Sequence, residues 1–210
     1  MKHTLAILTV VGLGSAAFGQ TFVNGDFTGG DLTGWTITPT ANGQTLTQDV
    51  IQFDIDFAGP LGVSNVARFR VGQVAFQSGV PAGIEFTQTL ALQNAMQYEV
   101  SFNAAAYRDS AVNNSQGGVF DLIVQGTVLA TWAAGSTSSA TTNSSFVSGQ
   151  FIAGGTGNFD IGVRITRPFT VPGDLYQVVD NFEIAVVPEP GTFVALGLGV
   201  VGLVMARRRK

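Results

Sequence analysis

The segment Phe159–Thr166, with the sequence FDIGVRIT, alternates apolar residues with polar or small ones at every position. Successive side chains of a β-strand point to opposite faces of a sheet, so this alternation predicts a strand with one buried face. The same two-residue period recurs at Phe53–Phe57 (FDIDF) and Tyr98–Asn103 (YEVSFN). No useful 3.6-residue apolar period appears between residues 20 and 187, so this part of the chain is predicted to be all-β.

Further segments with strand character are separated by clusters of Gly, Pro and Asn. They are Gly34–Thr38, Ala67–Val71, Phe86–Leu92, Phe120–Val124, Thr127–Trp132, Phe146–Ile152 and Gln177–Val186. About ten short strands with one apolar face each predict two antiparallel sheets packed face to face in a β-sandwich. The polar breaks Arg108–Gly118 and Ala134–Ser145 are expected to be loops.

Composition excludes several functional classes. Residues 20–187 contain no Cys and no His, because the only histidine is His3. This excludes Ser-His-Asp and Cys-His triads, thiolate or imidazole zinc sites and histidine acid–base chemistry. The same residues hold five Arg, no Lys and 13 of the 14 acidic residues, a net charge of 5 minus 13, or −8. Nucleic-acid binding needs clustered basic residues, so no nucleic-acid partner is expected.

Residues 1–19 have the features of a secretory signal peptide. Lys2 supplies a positive start, and an apolar stretch of about ten residues follows it, which suits a signal helix. Ala17 and Gly19 are small residues at positions −3 and −1, so cleavage is expected before Gln20.

The C-terminal 24 residues, 187–210, are the most specific segment of the chain. Val187-Pro188-Glu189-Pro190 is followed by an apolar span at residues 192–206 and by the basic tail Arg207-Arg208-Arg209-Lys210. The span would form roughly 23 Å of transmembrane helix, short for a bilayer core of about 30 Å. The basic tail should remain on the cytoplasmic side.

This order of motif, apolar span and basic tail resembles the PEP-CTERM sorting signal. The resemblance implies that the secretion machinery exports the chain and that the C-terminal helix holds it briefly in the inner membrane. It also implies that an exosortase, a membrane-embedded cysteine transpeptidase, then cleaves near Pro-Glu-Pro. The protein is therefore expected at the cell surface or in the extracellular matrix.

The predicted domain, residues 20–186, carries a second resemblance. Asn24-Gly25-Asp26-Phe27, Asp31-Leu32-Thr33-Gly34-Trp35 and Val179-Asp180-Asn181-Phe182 are similar to the first and last segments of galactose-binding-like jelly rolls. Carbohydrate-binding modules are the best-known members of this group. In them a structural Ca²⁺ often ties the first segment to the last strand, and the resemblance implies Asp26 and Asp180 as the acidic residues there. Thr28 stands where the group usually has another acidic residue.

Sugar binding needs an exposed aromatic ring for stacking and nearby polar groups for hydroxyls. Trp35 and Trp132 are both expected to pack in the core. The remaining cluster is Asn103, Tyr107, Arg108 and Asp109, where a strand runs into a long polar loop. These four residues are the predicted ligand-binding site.

A carboxylate pair offers an alternative function. Asp54 and Asp56 project from one predicted strand face, which could suit a glycoside hydrolase. Arg68 and Arg70 alternate in the same way, however. An antiparallel register with Ile55 opposite Phe69 would pair Asp56 with Arg68 and Asp54 with Arg70, and this structural interpretation is preferred.

The sequence therefore predicts an exported surface or matrix protein, without catalytic residues, that binds exopolysaccharide weakly. Two alternatives stay open. A deep cleft with two unpaired carboxylates would favour a glycoside hydrolase. An exposed, flat, unblocked edge strand would favour a self-assembling structural protein.

Overall fold

The segment Phe159–Thr166 lies in the central strand of a five-stranded antiparallel sheet. A computed structural model describes residues 20–57, 59–112, 114–138, 141–171 and 173–188. They form ten strands: β1 Thr36–Pro39, β2 Gly43–Asp54, β3 Val63–Gln73, β4 Ala82–Leu92, β5 Gln97–Arg108, β6 Val119–Val124, β7 Thr127–Ala133, β8 Asn143–Ile152, β9 Gly157–Arg167 and β10 Leu175–Val186.

The strands form two antiparallel sheets. Sheet A has the order β1-β4-β9-β6-β7, and sheet B has the order β2-β3-β10-β5-β8. Their inner faces pack together, as the alternating pattern predicts, so the β-sandwich is confirmed. Across the described ranges no helix is long and apolar enough to cross a membrane. The predicted signal helix at residues 1–19 and transmembrane segment at residues 192–206 lie outside those ranges.

The main core lies between the sheets and is rich in aromatic residues. Trp35 stacks on Phe22 and Phe86, with ring centroids 5.3 Å and 4.4 Å apart, and its indole N–H donates to the Asn24 carbonyl. The expectation that Trp35 packs with the core is thus confirmed. Trp132 is half-buried against Phe120.

The first segment docks on the last strand, as the resemblance to jelly rolls implies. The Gly25 carbonyl accepts a hydrogen bond from the Phe182 amide at 2.9 Å. A Cβ at Gly25 would lie 2.7 Å from the Phe182 carbonyl oxygen, so this close approach requires glycine. Phe27, two residues later, is fully buried in the core.

The predicted pairing of Asp54 and Asp56 with Arg70 and Arg68 is wrong. β2 and β3 are neighbours, but Asp49 lies opposite Arg68, and Asp54 lies opposite Val63. The prediction failed because it started the strand at Phe53, whereas β2 begins at Gly43 and ends at Asp54. A strand that is ten residues longer at its N-terminal side brings a different carboxylate to the arginine.

Candidate functional site

A second apolar cluster lies on the outer face of sheet B, away from the main core. Along β5 the even-numbered residues from Val100 to Ala106 enter the main core, whereas Ala105 and Tyr107 belong to the second cluster. We call this set the outer cluster. Its members are Ile51, Phe53, Ile55, Val66, Ala105, Tyr107, Tyr176 and Val178.

The hairpin that joins β2 and β3 covers part of this face. Ile55 follows the last residue of β2 and is only 1% exposed, because it packs in the outer cluster with Val66 and Val178. Ile55 therefore lies against the sheet, whereas Phe57, two residues later, is exposed.

Three aromatic rings stack in series within the outer cluster. The Tyr107 ring stacks on Phe53 at 4.5 Å and on Tyr176 at 5.3 Å, measured between ring centroids. Tyr107 is the middle ring and is 8% exposed, whereas Phe53 and Tyr176 are half-buried. The two outer rings of the stack are thus the ones that reach solvent.

Arg68 supplies the polar part of this surface. Its guanidinium lies over the Tyr176 ring, 4.8 Å from the centroid, in a cation–π arrangement. It also donates two hydrogen bonds to the Asp49 carboxylate, at 2.9 Å and 2.7 Å. The bidentate pair with Asp49 raises the pKa of Arg68 and fixes its plane over the ring.

The Tyr107 hydroxyl lies beside the same guanidinium. Burial raises the pKa of Tyr107, and the neighbouring Arg68 charge partly offsets that rise. The phenol is therefore neutral at ordinary pH and can both donate and accept a hydrogen bond.

The structure brings together only some of the predicted ligand-binding residues. Asn103 and Tyr107 share the outer face of β5, and Asn103 accepts a hydrogen bond from the Asn181 side chain. Alternation along β5 puts Arg108 on the opposite face from Tyr107. Asp109 is exposed just beyond the strand. The four residues as a ligand site stay a prediction, and Tyr107 is the member inside the ring stack.

Two residues of this surface escaped the sequence prediction. The last strand was expected to start at Gln177, one residue after Tyr176, so the aromatic pair between Tyr176 and Tyr107 was not found. Asp49 was missed because the polar first half of β2 shows little apolar alternation. Extending the period of two backwards from Val178 would have found Tyr176.

Asp26 and Asp180, the predicted Ca²⁺ ligands, lie near each other. Asp180 is fully buried; it accepts hydrogen bonds from the Ser64 hydroxyl and the Asn181 amide, both at 2.7 Å. Burial raises the pKa of Asp180 to about 6, and the Asp26 charge adds to the rise. Asp26 is exposed and accepts hydrogen bonds from Thr28.

The donor set near Asp180 is small for Ca²⁺, which takes six to eight oxygen ligands. In the described part of the chain no three or more Asp, Glu, His or Cys side chains form a group that could hold a metal ion. Both Asp180 oxygens already accept hydrogen bonds from the protein. The Ca²⁺ site stays a prediction, and no function is derived from it.

Asp54 and Asp56 lie at the end of the β2–β3 hairpin. Asp56 accepts a hydrogen bond from the Leu61 amide at 2.9 Å, which lowers its pKa. Asp56 therefore closes the turn between the two strands.

The sorting motif begins where the sandwich ends. Val186, the last residue of β10, pairs with Tyr98. The Val187 amide still donates to the Gln97 carbonyl at 2.8 Å, whereas Pro188 is exposed. Glu189, Pro190 and the predicted basic residues Arg207, Arg208 and Arg209 lie outside the described residues.

A family model described as the PEP-CTERM protein-sorting motif matches residues 186–210. The resemblance found in the C-terminal sequence is thereby confirmed. The chain carries the sorting motif of secreted proteins that are membrane-anchored until an exosortase processes them and that then reach the cell surface.

Several solved structures are similar to this chain at low identity. A carbohydrate-binding module, TmCBM61, solved with β-1,4-galactotriose, is 15% identical; the match covers 80% of this chain and 99% of that one, with a TM-score of 0.47. The CBM22-1 xylan-binding domain of Paenibacillus barcinonensis Xyn10C is 12% identical over 82% of this chain and 98% of that one, with a TM-score of 0.44. A cyclase from Fischerella sp. TAU is 16% identical over 82% of this chain and 98% of that one, with a TM-score of 0.47. A search of curated proteins finds no match.

Proposed function

We propose that this chain is an exosortase-sorted surface or matrix protein whose sandwich binds polysaccharide weakly on the outer face of sheet B. The observation that carries the proposal is the stack of Phe53, Tyr107 and Tyr176 on an outer sheet face. The main core accounts for most other buried aromatic rings, but it does not account for these.

The position of the sorting motif supports the first half of the proposal. β10 is complete at Val186, and the chain becomes exposed at Pro188. Cleavage near Pro-Glu-Pro would therefore leave every strand of both sheets in the released part. The sandwich can function outside the cell after the C-terminal segment has been removed.

The chemistry of the outer cluster supports the second half. A sugar ring presents apolar C–H faces that stack on aromatic rings and hydroxyls that need hydrogen-bond partners. Tyr176 supplies a half-exposed ring, and Arg68 and Asp49 beside it supply donors and acceptors. The surface is open and lies on one sheet face, which suits weak binding along an extended polymer.

Retention on an affinity gel that contains the host's own exopolysaccharide tests this proposal. We expect the mature protein, recovered from exporting cells, to be retarded on the gel and Tyr176→Ala to abolish most of the retardation. Phe76→Ala is the matched control, because Phe76 is an exposed aromatic residue, 60% accessible, in the loop between β3 and β4. Equal retardation of the Tyr176→Ala variant and the unmodified protein would contradict the proposed surface.

The proposal is for binding without catalysis. The glycoside hydrolase alternative depended on Asp54 and Asp56, and Asp56 is engaged by the Leu61 amide within a turn. We therefore expect incubation with the exopolysaccharide to release no new reducing ends. Their appearance in proportion to protein concentration would favour the enzyme.

A further inference from the structure

Four strands form the edges of the two sheets, and three of them have features that block pairing with another chain. β1 has only four residues and ends at Pro39. β2 contains a bulge between Thr45 and Gln48 and carries Asp49. β7 is bulged where its register with β6 shifts between Leu122 and Ile123. Short length, proline, charge and bulges all discourage edge-to-edge association.

β8 lacks each of these features. Its sequence, NSSFVSGQFI, spans ten residues with no charge and no proline. It pairs with β5 without a register shift, and within the described ranges its other edge is hydrogen-bonded to no strand, although Leu129 of β7 in the facing sheet packs against Gly149. Phe146 and Ile152 point outward and are 62% and 66% exposed. β8 is thus a long, regular edge strand with two exposed large apolar side chains.

We propose that β8 pairs in antiparallel fashion with β8 of a second copy of this chain, about a two-fold axis at Gly149. An antiparallel pair centred on residue 149 places Phe146 opposite Ile152 of the other copy, and Ser148 opposite Gln150. It also places Val147 opposite Phe151 on the inner face. Each exposed apolar residue of one copy then meets the exposed apolar residue of the other.

Hydrogen-bond geometry allows this register. In an antiparallel edge strand every second residue directs both its N–H and its C=O outward, so allowed registers differ by steps of two residues. The pairs 146 with 152 and 148 with 150 join residues of the same parity. Residues that present outward groups on one copy therefore meet residues that do so on the other.

Charge favours pairing of β8 with β8 of a second copy over pairing of β8 with a different edge strand of that copy. The domain carries a net charge of −8, which opposes self-association in general. β8 contributes none of that charge, whereas pairing β8 with β2 would produce an open chain of molecules through a bulged, acidic edge. Pairing through β8 alone closes after two copies.

The dimer would contain a continuous ten-stranded sheet, made of two five-stranded sheets B. The two-fold axis is perpendicular to that sheet, so both outer faces point to the same side. Where the outer face binds polysaccharide, as proposed above, one polymer could then contact both sites, and two weak contacts would act together. The dimer itself does not depend on that proposal.

Molar mass measured by light scattering tests the interface. We expect the mature protein to be a dimer that dissociates on dilution and the Ser148→Lys variant to dissociate at a concentration at least tenfold higher. Thr38→Lys adds the same charge to an exposed residue on the edge strand β1 and should leave the dimer intact. A monomer at all concentrations, an open polymer, or equal weakening by both substitutions would overturn the proposal.

Cross-linking tests the register, because the chain has no cysteine of its own. Two versions that differ in tag length would be mixed, one with Phe146→Cys and one with Ile152→Cys. We expect a disulfide between the unlike chains, since residues 146 and 152 face each other. Like chains should not cross-link, because equal residues would lie about six positions apart, roughly 20 Å. Cross-linking of like chains as efficiently as unlike chains would contradict the Gly149 axis.

Discussion

The outer faces of the two sheets differ in chemistry. On sheet A a row of polar side chains crosses all five strands in register: Thr38, Glu85, Arg164, Asp121 and Thr131. Arg164 forms an ion pair with Glu85 at 2.7 Å, and Thr131 donates to Asp121. The equivalent face of sheet B holds the outer cluster, with one ion pair beside three stacked rings.

Sheet A has the polar outer face that is usual for a β-sandwich in water, whereas sheet B carries aromatic side chains on its outer face. A hollow of about 310 Å³ lies on sheet A, but its lining is mostly polar and includes four threonines, and none of the lining residues is aromatic. Its polar groups largely satisfy one another. On sheet B the middle ring, Tyr107, is buried in the outer cluster, whereas Phe53 and Tyr176 on either side of it are only half-buried and leave part of their apolar surface exposed.

The largest difference between the two outer faces should appear when one side chain of each is replaced by alanine and the free energy of unfolding is measured. Tyr107→Ala removes the middle ring of the stack, which is only 8% exposed. We therefore expect the free energy of unfolding to fall by about 3 kcal/mol. Thr87→Ala on the outer face of sheet A should change it by less than about 0.5 kcal/mol. Denaturant titration measures both. Equal effects would mean that the outer cluster is no better packed than the polar face.

The stability of sheet B should also depend on pH through Asp180. Its pKa is about 6 in the folded chain and about 3.9 when unfolded, so the folded state binds the proton more tightly. The resulting stabilisation is complete below pH 4 and is lost as the pH rises through 6. We expect about 2 to 3 kcal/mol less stability at pH 7 than at pH 4, measured in the presence of a chelator.

Asp180→Asn is the control for this pH dependence. An amide can keep the contacts with Ser64 and Asn181 but cannot ionise, so the fall in stability between pH 4 and 7 should disappear. The carboxylates Asp31 and Asp56 have lowered pKa values, so they affect the pH dependence of stability only below about pH 4. A fall that persists in the Asp180→Asn variant would assign it to another group.

Calcium gives a related test on the same sheet. Binding at Asp26 and Asp180 would require Asp180 to be ionised, so Ca²⁺ should raise the melting temperature more at pH 7 than at pH 5. A ligand at 100 times its dissociation constant stabilises the native state by about 2.7 kcal/mol. An identical melting temperature in excess Ca²⁺ and in chelator would refute the Ca²⁺ prediction, and Asp26→Asn should abolish any increase.

The two ion pairs should each contribute little to stability. Arg68→Ala and Arg164→Ala each break a partly exposed pair with a 2.7 Å contact, so each should cost only about 0.2 to 1 kcal/mol. Retention on the exopolysaccharide gel should separate them, because only Arg68 lies over Tyr176. Loss of retention in Arg164→Ala alone would place the ligand on sheet A.

The fold could be predicted because its signal is local. Alternation within single segments such as Phe159–Thr166 marks a strand whatever its neighbours are, and the inner faces of both sheets follow from it. The antiparallel pairing of β2 with β3 was expected, but its register could not be predicted in the same way. Their register depends on the hairpin end, where Ile55 folds onto the outer face, and no local period reports that.

The candidate site shows the same limit. Tyr107 was found because it follows an alternating strand, but its burial comes from Phe53 on a strand that is distant in sequence. Tyr176 was missed because the last strand was expected to begin one residue later, at Gln177, whereas β10 begins at Leu175. A site made by side chains from β2, β3, β5 and β10 requires the sheet order, which single segments do not contain.

The three tyrosines of the chain allow the most direct test of binding on sheet B. With tyrosine rings labelled for NMR, Tyr98 is an internal control, because it is 2% exposed in the main core. On addition of the exopolysaccharide, we predict that the ring signals of Tyr176 and Tyr107 shift while that of Tyr98 stays unchanged. Unchanged Tyr176 and Tyr107 signals under conditions where the protein binds the polymer would contradict the assignment of binding to this face.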